Sequence, residues 1–265
     1  MKLLKWIARN KRAAFWLFFV AETVIFGSIL LKCNAGGASI AVLIVIGALV
    51  NAIYVGSVNS QISKGALDKL DNSGDPEPLL AVTMELMENK NNEAERLNLI
   101  INHCVALREM GELERARDML EGIDIDKSAG KAPYIQFVYY HNYADICRLL
   151  GDMQRCKALY GRAMQIYEHQ LKGSAKDSLR NIVLFDEAQM LYDDCDMEGV
   201  LDKLDKIKDA PLTPRVEVEL LRARVFIKKG MKKEAMAGLD GVIATAPKLY
   251  AARVASELKM KLGEQ

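Results

Sequence analysis

The sequence predicts an all-α protein: an N-terminal two-helix transmembrane hairpin followed by an α-solenoid of stacked helical hairpins. Two long apolar runs lie within residues 1–58. Residues 57–78, SVNSQISKGALDKLDNSGDPEP, read as a short amphipathic helical extension followed by a breaker and form the linker at 59–78. Beyond it, residues 79–265 show helical periodicity broken by short polar turns, with no run of alternating β-branched residues. One set of residue spacings also recurs in this second part, which is typical of repeat proteins.

Two apolar runs define the predicted membrane hairpin. Residues 13–31 read AAFWLFFVAETVIFGSILL, and residues 38–58 read ASIAVLIVIGALVNAIYVGSV. A helix of either length would cross a hydrocarbon core of about 30 Å. The first run is longer than the apolar part of a secretory signal peptide. Only KCNAGG, residues 32–37, separates the runs, so the two spans are expected to be antiparallel.

Basic residues near the amino terminus predict the orientation of this hairpin. Five of them precede the first span: Lys2, Lys5, Arg9, Lys11 and Arg12. Because Lys and Arg beside a span resist translocation, both termini and the repeat domain are expected in the cytoplasm. Five cysteines without a CxxC pair fit a reducing compartment. The short anchor and compact size favour the plasma membrane of a bacterium.

One ionisable residue, Glu22, lies in the middle of the first span. A lone charge at that depth costs on the order of 3 kcal/mol, so Glu22 is expected to be protonated or partnered. Asn51 of the second span lies at a similar depth and is the nearest candidate partner. An interhelical clamp is favoured over a proton pathway for this intramembrane polar pair, because two spans cannot enclose a pathway.

The distribution of charge argues against nucleic-acid binding. Residues 1–58 contain six basic residues and one acidic residue, which leaves 30 basic and 34 acidic residues in 59–265 out of the chain's 36 and 35. Binding to phosphates over many contacts needs a basic surplus, and the second part has none. Membrane contact is therefore expected from the first part alone.

The sequence offers no metal, cofactor or catalytic site. His103, His141 and His169 lie far apart, without a zinc-ligand spacing, and are expected on helix surfaces. The acidic stretch DCDMEGVLDKLD at 194–205 imitates a calcium loop, but the repeat spacing places the start of a helix there. No phosphate-binding or nucleophile motif is present, so an enzyme is not expected.

The recurring spacing is centred on four positions: Gly111, Gly151, Cys195 and Gly230. Small residues lie seven positions before these origins, as Cys104, Ala144, Ala188 and Ala223. The positions five, nine and twelve after them are mostly apolar, for example Ala235, Leu239 and Val242. A glycine at the origin ends the first helix in the left-handed conformation, and small residues let two antiparallel helices approach closely. Such hairpins must stack to bury their apolar faces.

This pattern resembles the tetratricopeptide repeat family over about residues 97–262. The last unit matches best, since Pro247 falls where the family closes its second helix and KLYAARVASELKMKLG follows as a terminal helix. The other units have Ser128, Glu168 and Leu212 at the closing position, the family's tryptophan is absent, and Cys195 replaces a glycine. The resemblance implies degenerate repeats that bind a peptide or protein in a concave groove.

The groove is expected on the first helix of each unit, opposite the packing positions. That face contains Asn98, Ile101, Asn102, Val105, Arg108, His141, Asn142, Asp145, Arg148, Phe185, Gln189, Tyr192, Leu220, Arg224, Ile227 and Lys228. The resemblance implies that Asn102 and Asn142 hold a ligand's main chain. Arg108, Arg148 and Arg224 would attract an acidic ligand, and replacing the first two is expected to leave stability unchanged. Phe185 and Tyr192 would supply apolar contact.

The sequence therefore predicts a membrane-anchored scaffold or adaptor that recruits a protein or peptide, possibly acidic, to the cytoplasmic face. The alternative is a regulatory sensor whose repeat domain changes shape when a peptide binds. Ligand-dependent compaction would favour the sensor, and a stable co-purifying protein would favour the scaffold.

Overall fold

The computed structural model describes residues 2–32, 37–89, 93–129 and 132–264, and every regular element within these ranges is a helix. The helices are α1 Lys2–Arg9, α2 Lys11–Lys32, α3 Gly37–Ser73, α4 Glu77–Met87, α5 Glu93–Met110, α6 Leu113–Glu121, α7 Ile125–Ala129, α8 Pro133–Leu149, α9 Met153–His169, α10 Gly173–Asp177, α11 Arg180–Asp193, α12 Met197–Asp205, α13 Leu212–Lys228, α14 Lys232–Thr245 and α15 Tyr250–Gly263. The all-α class that the sequence predicts is confirmed.

Two of these helices are long and apolar enough to cross a membrane. The qualifying stretches are Lys11–Ile29 in α2 and Val42–Ser73 in α3, by length and composition. The two helices pack against each other, and large apolar side chains such as Trp16, Ile25 and Leu49 remain exposed on them. Of the predicted turn at 32–37, Lys32 ends α2 and Gly37 begins α3, and residues 33–36 lie outside the described residues.

Helix α3 continues well beyond the predicted end of the second span. Residues 59–73 of the predicted linker belong to the same helix, because a stripe of apolar residues extends along it at helical spacing. Its members are the buried side chains Val55, Val58, Ile62, Ala66 and Leu70. Gly74, with φ of 63°, ends the helix, and its N–H donates to the carbonyl of Leu70 at 2.8 Å.

A short basic helix, α1, connects the two long apolar helices to the helical domain. Ile7 and Ala8 are buried against α3, α4 and neighbouring helices. On the polar side, Lys5 and Arg9 both form ion pairs with Glu85 of α4, at 2.6 and 2.7 Å. The base of the hairpin is thus held against the domain on two sides of one short helix.

Beyond α4, consecutive helices pack as pairs: α5 with α6, α8 with α9, α11 with α12, and α13 with α14. The turn of each pair contains one predicted origin, and all four origins have left-handed φ angles. These are 76° at Gly111, 82° at Gly151, 63° at Cys195 and 72° at Gly230. Cys195 adopts the conformation without the steric freedom of glycine, which shows how strongly the tight turn imposes this backbone angle.

The small residues predicted at the helix contacts are buried. Cys104 and Ala188 are 0% exposed, Ala223 is 1% exposed and Ala144 is 5% exposed. The closest approach lies between α13 and α14, where a Cβ on Gly238 would lie 3.2 Å from the Cβ of Ala223. The spacing therefore places the paired helices correctly.

The two ends of the helical domain meet. Helix α15 packs against α5, and α13 packs against the end of α3. Lys248, just before α15, forms an ion pair with Asp75 at 2.6 Å. The helices α4, α5 and α13 consequently pack against one side of the carboxyl-terminal half of α3, while Lys64, Asp68 and Lys69 on its other side stay exposed.

Two local expectations have clear outcomes. The surface position expected for His103 is wrong: it is 4% exposed, its Nδ1 lies 2.9 Å from Thr83 Oγ1, and burial lowers its pKa. In the calcium-like stretch, Asp196 caps α12 by accepting a hydrogen bond from the N–H of Gly199 at 3.0 Å. Its acidic residues thus belong to a helix start.

Candidate functional site

A cavity of about 360 Å³ lies between the end of α3 and the helix pairs. Its wall combines side chains from α3, α5, α8, α11 and α13, so elements far apart in sequence contribute to one site. The apolar part of the wall includes Leu67, Leu70, Val105, Ile182, Phe185 and Val218. This volume and the mixture of apolar walls with a few polar groups are typical of small-ligand sites.

Arg108 is the central charged group of this cavity. Its Nε lies 2.9 Å from Asp145 Oδ2, and its Nη1 lies 2.9 Å from Glu217 Oε1. The same nitrogen also contacts the Oε1 of Glu109. Three carboxyl groups thus share one buried guanidinium. Arg148 adds a second contact to Asp145, at 2.7 Å.

The carboxyl groups differ in how well they are compensated. Burial opposes ionisation of Asp145, but Arg108 and Arg148 hold its pKa well below the ordinary value. Burial dominates at Glu109 and raises its pKa to about 7 in spite of Arg108. Glu109 is 2% exposed, and its Oε2 is a buried atom without a hydrogen-bond partner. Such an orphaned oxygen is costly in a folded protein.

A second polar pair lies one helical turn before Asp145: His141 of α8 lines the cavity, and Asp186 of α11 lies behind it. His141 Nδ1 lies 2.8 Å from Asp186 Oδ2, and the ring of His141 stacks on Phe137 at a centroid distance of 6.1 Å. Burial opposes protonation, but the Asp186 carboxylate raises the pKa of His141. We assign the Nδ1 hydrogen as donated to Asp186.

The structure brings part of the predicted groove face to the cavity. Three of the predicted groove residues, Arg108, Asn142 and Phe185, line it. The predicted face also contributes Val105, His141, Asp145 and Gln189. Tyr192 and Arg224 lie elsewhere, with the guanidinium over the tyrosine ring at 5.2 Å. The first-helix positions therefore converge in three units, and the fourth unit contributes different residues.

The two predicted main-chain ligands are already bonded within the protein. Asn102 donates to Ser63 Oγ of α3 at 2.8 Å, and Asn142 donates to the carbonyl of Val138 in its own helix at 2.7 Å. Helix α3 thus occupies the place beside Asn102 that an extended peptide was expected to take.

Two expectations about this face need correction. Ile101 and Leu220 are buried, at 3% and 5% exposed, because Ile101 packs into the core between helix pairs and Leu220 packs beside α3. The expectation that replacing Arg108 and Arg148 leaves stability unchanged assumed that they are free to meet a ligand, whereas both are paired with carboxyl groups of the protein. Removing Arg108 would leave buried carboxyl groups without their counter-charge.

Sequence reasoning missed Glu109, Glu217, Asp71 and the α3 side chains. Glu109 follows Val105 by one helical turn, so the helical spacing of the groove face could have included it. The amphipathic extension predicted before the breaker at 72–78 gives Leu67 and Leu70 an apolar face to bury, but the sequence does not show which helices cover that face or that Asp71 lies beside it.

The predicted polar pair of the hairpin lies apart from the cavity. Asn51 Nδ2 donates to Glu22 Oε2 at 2.7 Å. A Cβ at Gly47 would lie 2.8 Å from the same oxygen, so the glycine leaves space for the carboxyl group. The pair links α2 to α3 by a side-chain hydrogen bond.

Among the residues that the structure describes, no group of three or more His, Cys, Asp or Glu side chains is arranged to hold a metal ion. Comparison of the chain with protein-family models, curated proteins and solved structures finds no match.

Proposed function

We propose that the protein is a membrane-anchored regulatory sensor whose cytoplasmic, TPR-like α-solenoid binds a ligand in the central cavity and transmits its occupancy to the membrane hairpin. One observation carries this proposal: α3 is a single helix from Gly37 to Ser73. Its first part has the composition of a membrane span, and Leu67, Leu70 and Asp71 near its end line the cavity.

The physical route between the two regions is short. A continuous helix transmits displacement along its axis because its backbone hydrogen bonds resist bending. Between cavity and hairpin, Val58 and Ile62 pack into the cluster that also contains Ile7 of α1. Movement of α3 would therefore also act on α1, whose Lys5 and Arg9 are paired with Glu85. Both connections lead from the cavity wall to the base of the hairpin.

The sensor is favoured over the open scaffold because the chain fills part of its own groove. Ser63 of α3 already bonds to Asn102, and Arg108 is compensated by internal carboxyl groups. One observation favours the scaffold, at the contact between the third and fourth helix pairs. Arg224 and Lys228 lie over Tyr192, at 5.2 and 6.0 Å, outside the cavity lining. A protein or peptide partner would find its basic and aromatic contacts there.

The test fills the cavity covalently with a neutral group in the full chain, reconstituted in lipid nanodiscs. Ser178 lines the cavity and is exposed, so Ser178→Cys can be modified with butyl methanethiosulfonate. The background contains Cys195→Gly and Cys33→Ser. Cys104, Cys147 and Cys156 stay unmodified, because burial raises the pKa of these thiols to about 12, 11 and 11. Hydrogen exchange of the amides in 42–73 is then compared before and after modification.

The matched control is Ser174→Cys, an exposed position on α10 that does not line the cavity. We expect modification at 178 to change exchange in 59–73 and in the hairpin segment 42–58, and modification at 174 to change neither. Equal exchange in the two modified proteins would contradict the sensor. A partner captured equally by both, and lost on Tyr192→Ala, would support the scaffold instead.

A further inference from the structure

The central cavity has more acidic than basic groups in its wall. Four carboxyl groups line it, from Asp71, Glu109, Asp145 and Glu217, against the single guanidinium of Arg108 and the imidazole of His141. Just behind the wall, Arg148 pairs with Asp145 and Asp186 pairs with His141, and these two charges cancel. When all these carboxyl groups are ionised, the lining of the cavity has a net negative charge, even with His141 protonated.

Two of these carboxyl groups, Glu109 and Asp71, lack a full set of compensating partners. Glu109 Oε2 is buried and has no hydrogen-bond partner, although Glu109 lines the cavity. Asp71, at the end of α3, has its pKa raised by burial and by the neighbouring Asp68. A donor placed in the cavity would satisfy the orphaned oxygen and offset the surplus charge at once.

The wall around these groups is apolar. Leu67 and Leu70 of α3, Val105 of α5 and Phe185 of α11 all face the same space. The cavity volume of about 360 Å³ is at the low end of ligand-pocket sizes. It accommodates a short alkyl chain with a charged head group. An anionic ligand is disfavoured, because its charge would be repelled by the ionised carboxyl groups of the wall, and this repulsion is strong in a medium of low dielectric.

We propose that the cavity binds a small organic cation, an alkylguanidinium or alkylammonium, whose head group donates to Glu109 and whose stem packs against Leu67, Leu70 and Phe185. This inference rests on the proposed function for the location of the site and adds the chemistry of the ligand. It replaces the acidic ligand expected from the arginines, because those arginines are compensated internally.

The test is a ligand-observed NMR titration of the full chain in phosphatidylcholine nanodiscs, with empty nanodiscs as the blank. The probes are butylguanidinium, its neutral isostere butylurea, and the anion pentanoate. We expect saturable binding of butylguanidinium only. Equal binding of butylurea, or no binding of butylguanidinium, would overturn the proposal.

A pair of variants assigns the site. At about pH 8, above its pKa of about 7, Glu109 is ionised. There Glu109→Gln keeps the side-chain volume and removes the charge, and we expect it to weaken butylguanidinium binding by about tenfold or more, as loss of a buried charge partner does. Glu257→Gln makes the same chemical change at an exposed position of α15 and should leave binding unchanged. Unchanged binding in Glu109→Gln would overturn the assignment.

If Glu109→Gln does not fold, which thermal melting will show, Asp71→Asn at the half-buried end of α3 provides the second variant and should also weaken binding. The neutral thiol reagent in the sensor test makes the two proposals separable. If the chain responds to that reagent but does not bind butylguanidinium, the sensor proposal stands and the proposal of a cationic ligand is overturned.

Discussion

Arg108 on α5 and Glu217 on α13 form an ion pair with an Nη1–Oε1 distance of 2.9 Å, although they belong to the first and last helix pairs of the helical domain. Both side chains are 12% exposed. The pair therefore closes the array of helices with charged groups removed from water, where pairing is needed to offset the loss of hydration.

The first prediction concerns this closure. Arg108→Ala should destabilise the full chain by about 3–5 kcal/mol, because three buried carboxyl groups lose their shared counter-charge. Chemical denaturation in detergent, followed by circular dichroism, measures the change. Arg117→Ala, which removes an exposed pair with Asp118, is the control and should have little effect. A similar midpoint for both variants would show that the Arg108 network does not hold the ends together.

Helix packing supports a second prediction. Ala223→Leu should cost roughly 1–3 kcal/mol, since the added atoms must enter the close contact with Gly238. The matched control, Ala237→Leu, lies on the exposed side of α14 and should leave the thermal midpoint nearly unchanged. If the Ala223 variant melts with the parent protein, the crossing of α13 and α14 is placed incorrectly.

Stability should depend on pH through Glu109. Folded Glu109 keeps its proton up to a pKa of about 7, whereas its ordinary pKa is 4.5. Between these values the folded state binds more protons, so the free energy of unfolding should fall as the pH rises from 4.5 to 7. His141, whose pKa is also raised, changes stability in the same direction and is present in parent and variant.

Denaturation at several pH values in parent and Glu109→Gln isolates the contribution of this carboxyl group. The variant should lack part of the fall, since glutamine does not titrate. The charged groups that act on Glu109 are Arg108, Glu217 and Asp145. Asp71 lines the same cavity, and its raised pKa acts in the same direction. The variant retains all four. Parallel pH profiles for the two proteins would mean that Glu109 is ionised throughout the range.

Topology gives a fourth prediction. Reporter fusions at residue 35 and at residue 265 should report opposite sides of the membrane, because five basic residues before the first span hold the amino terminus in the cytoplasm. Paired phosphatase and fluorescent-protein fusions distinguish the sides. An extracytoplasmic carboxy terminus would overturn both the orientation and the proposed cytoplasmic site.

The hairpin supplies a fifth prediction. Gly47→Ala should displace the Glu22 carboxyl group from Asn51 and weaken hairpin association by about 0.5–2 kcal/mol, the range of interhelical hydrogen bonds in membranes. Gly27→Ala is the control, because a Cβ there meets no neighbouring atom within 4 Å. Thermal melting in detergent compares the two. Equal melting would indicate that the Glu22–Asn51 bond does not stabilise the hairpin.

Local spacing in the sequence was enough to predict the helix pairs. Left-handed turns at Gly111, Gly151 and Gly230, and the same angle at Cys195, follow from helices that must reverse within a few residues. The burial of Ala188 is predictable for a similar reason, since two antiparallel helices need a small side chain where they cross. Each of these features depends on residues within one hairpin.

The composition of the cavity wall could not be predicted from local spacing, because it depends on contacts between helices that are distant in the sequence. The sequence placed Arg108 and Phe185 on the correct helix face, but their surroundings come from α3 and α13. Whether a guanidinium binds an acidic ligand or neutralises the protein's own carboxyl groups depends on which side chains lie within about 4 Å of it, where ion pairing acts. That was decided by the closure of the helix pairs.

The sequence by itself determined the two long apolar helices, the all-α class and the positions of the turns, because hydrophobic periodicity and glycine conformation act over a few residues. Only the tertiary structure decided that the amphipathic extension of the second span packs inside the domain, that Asn102 binds Ser63, and that Glu109 is left with an unpartnered oxygen. These features arise from packing between elements distant in the chain, where burial and the shared counter-charge of Arg108 set the charge balance of the cavity.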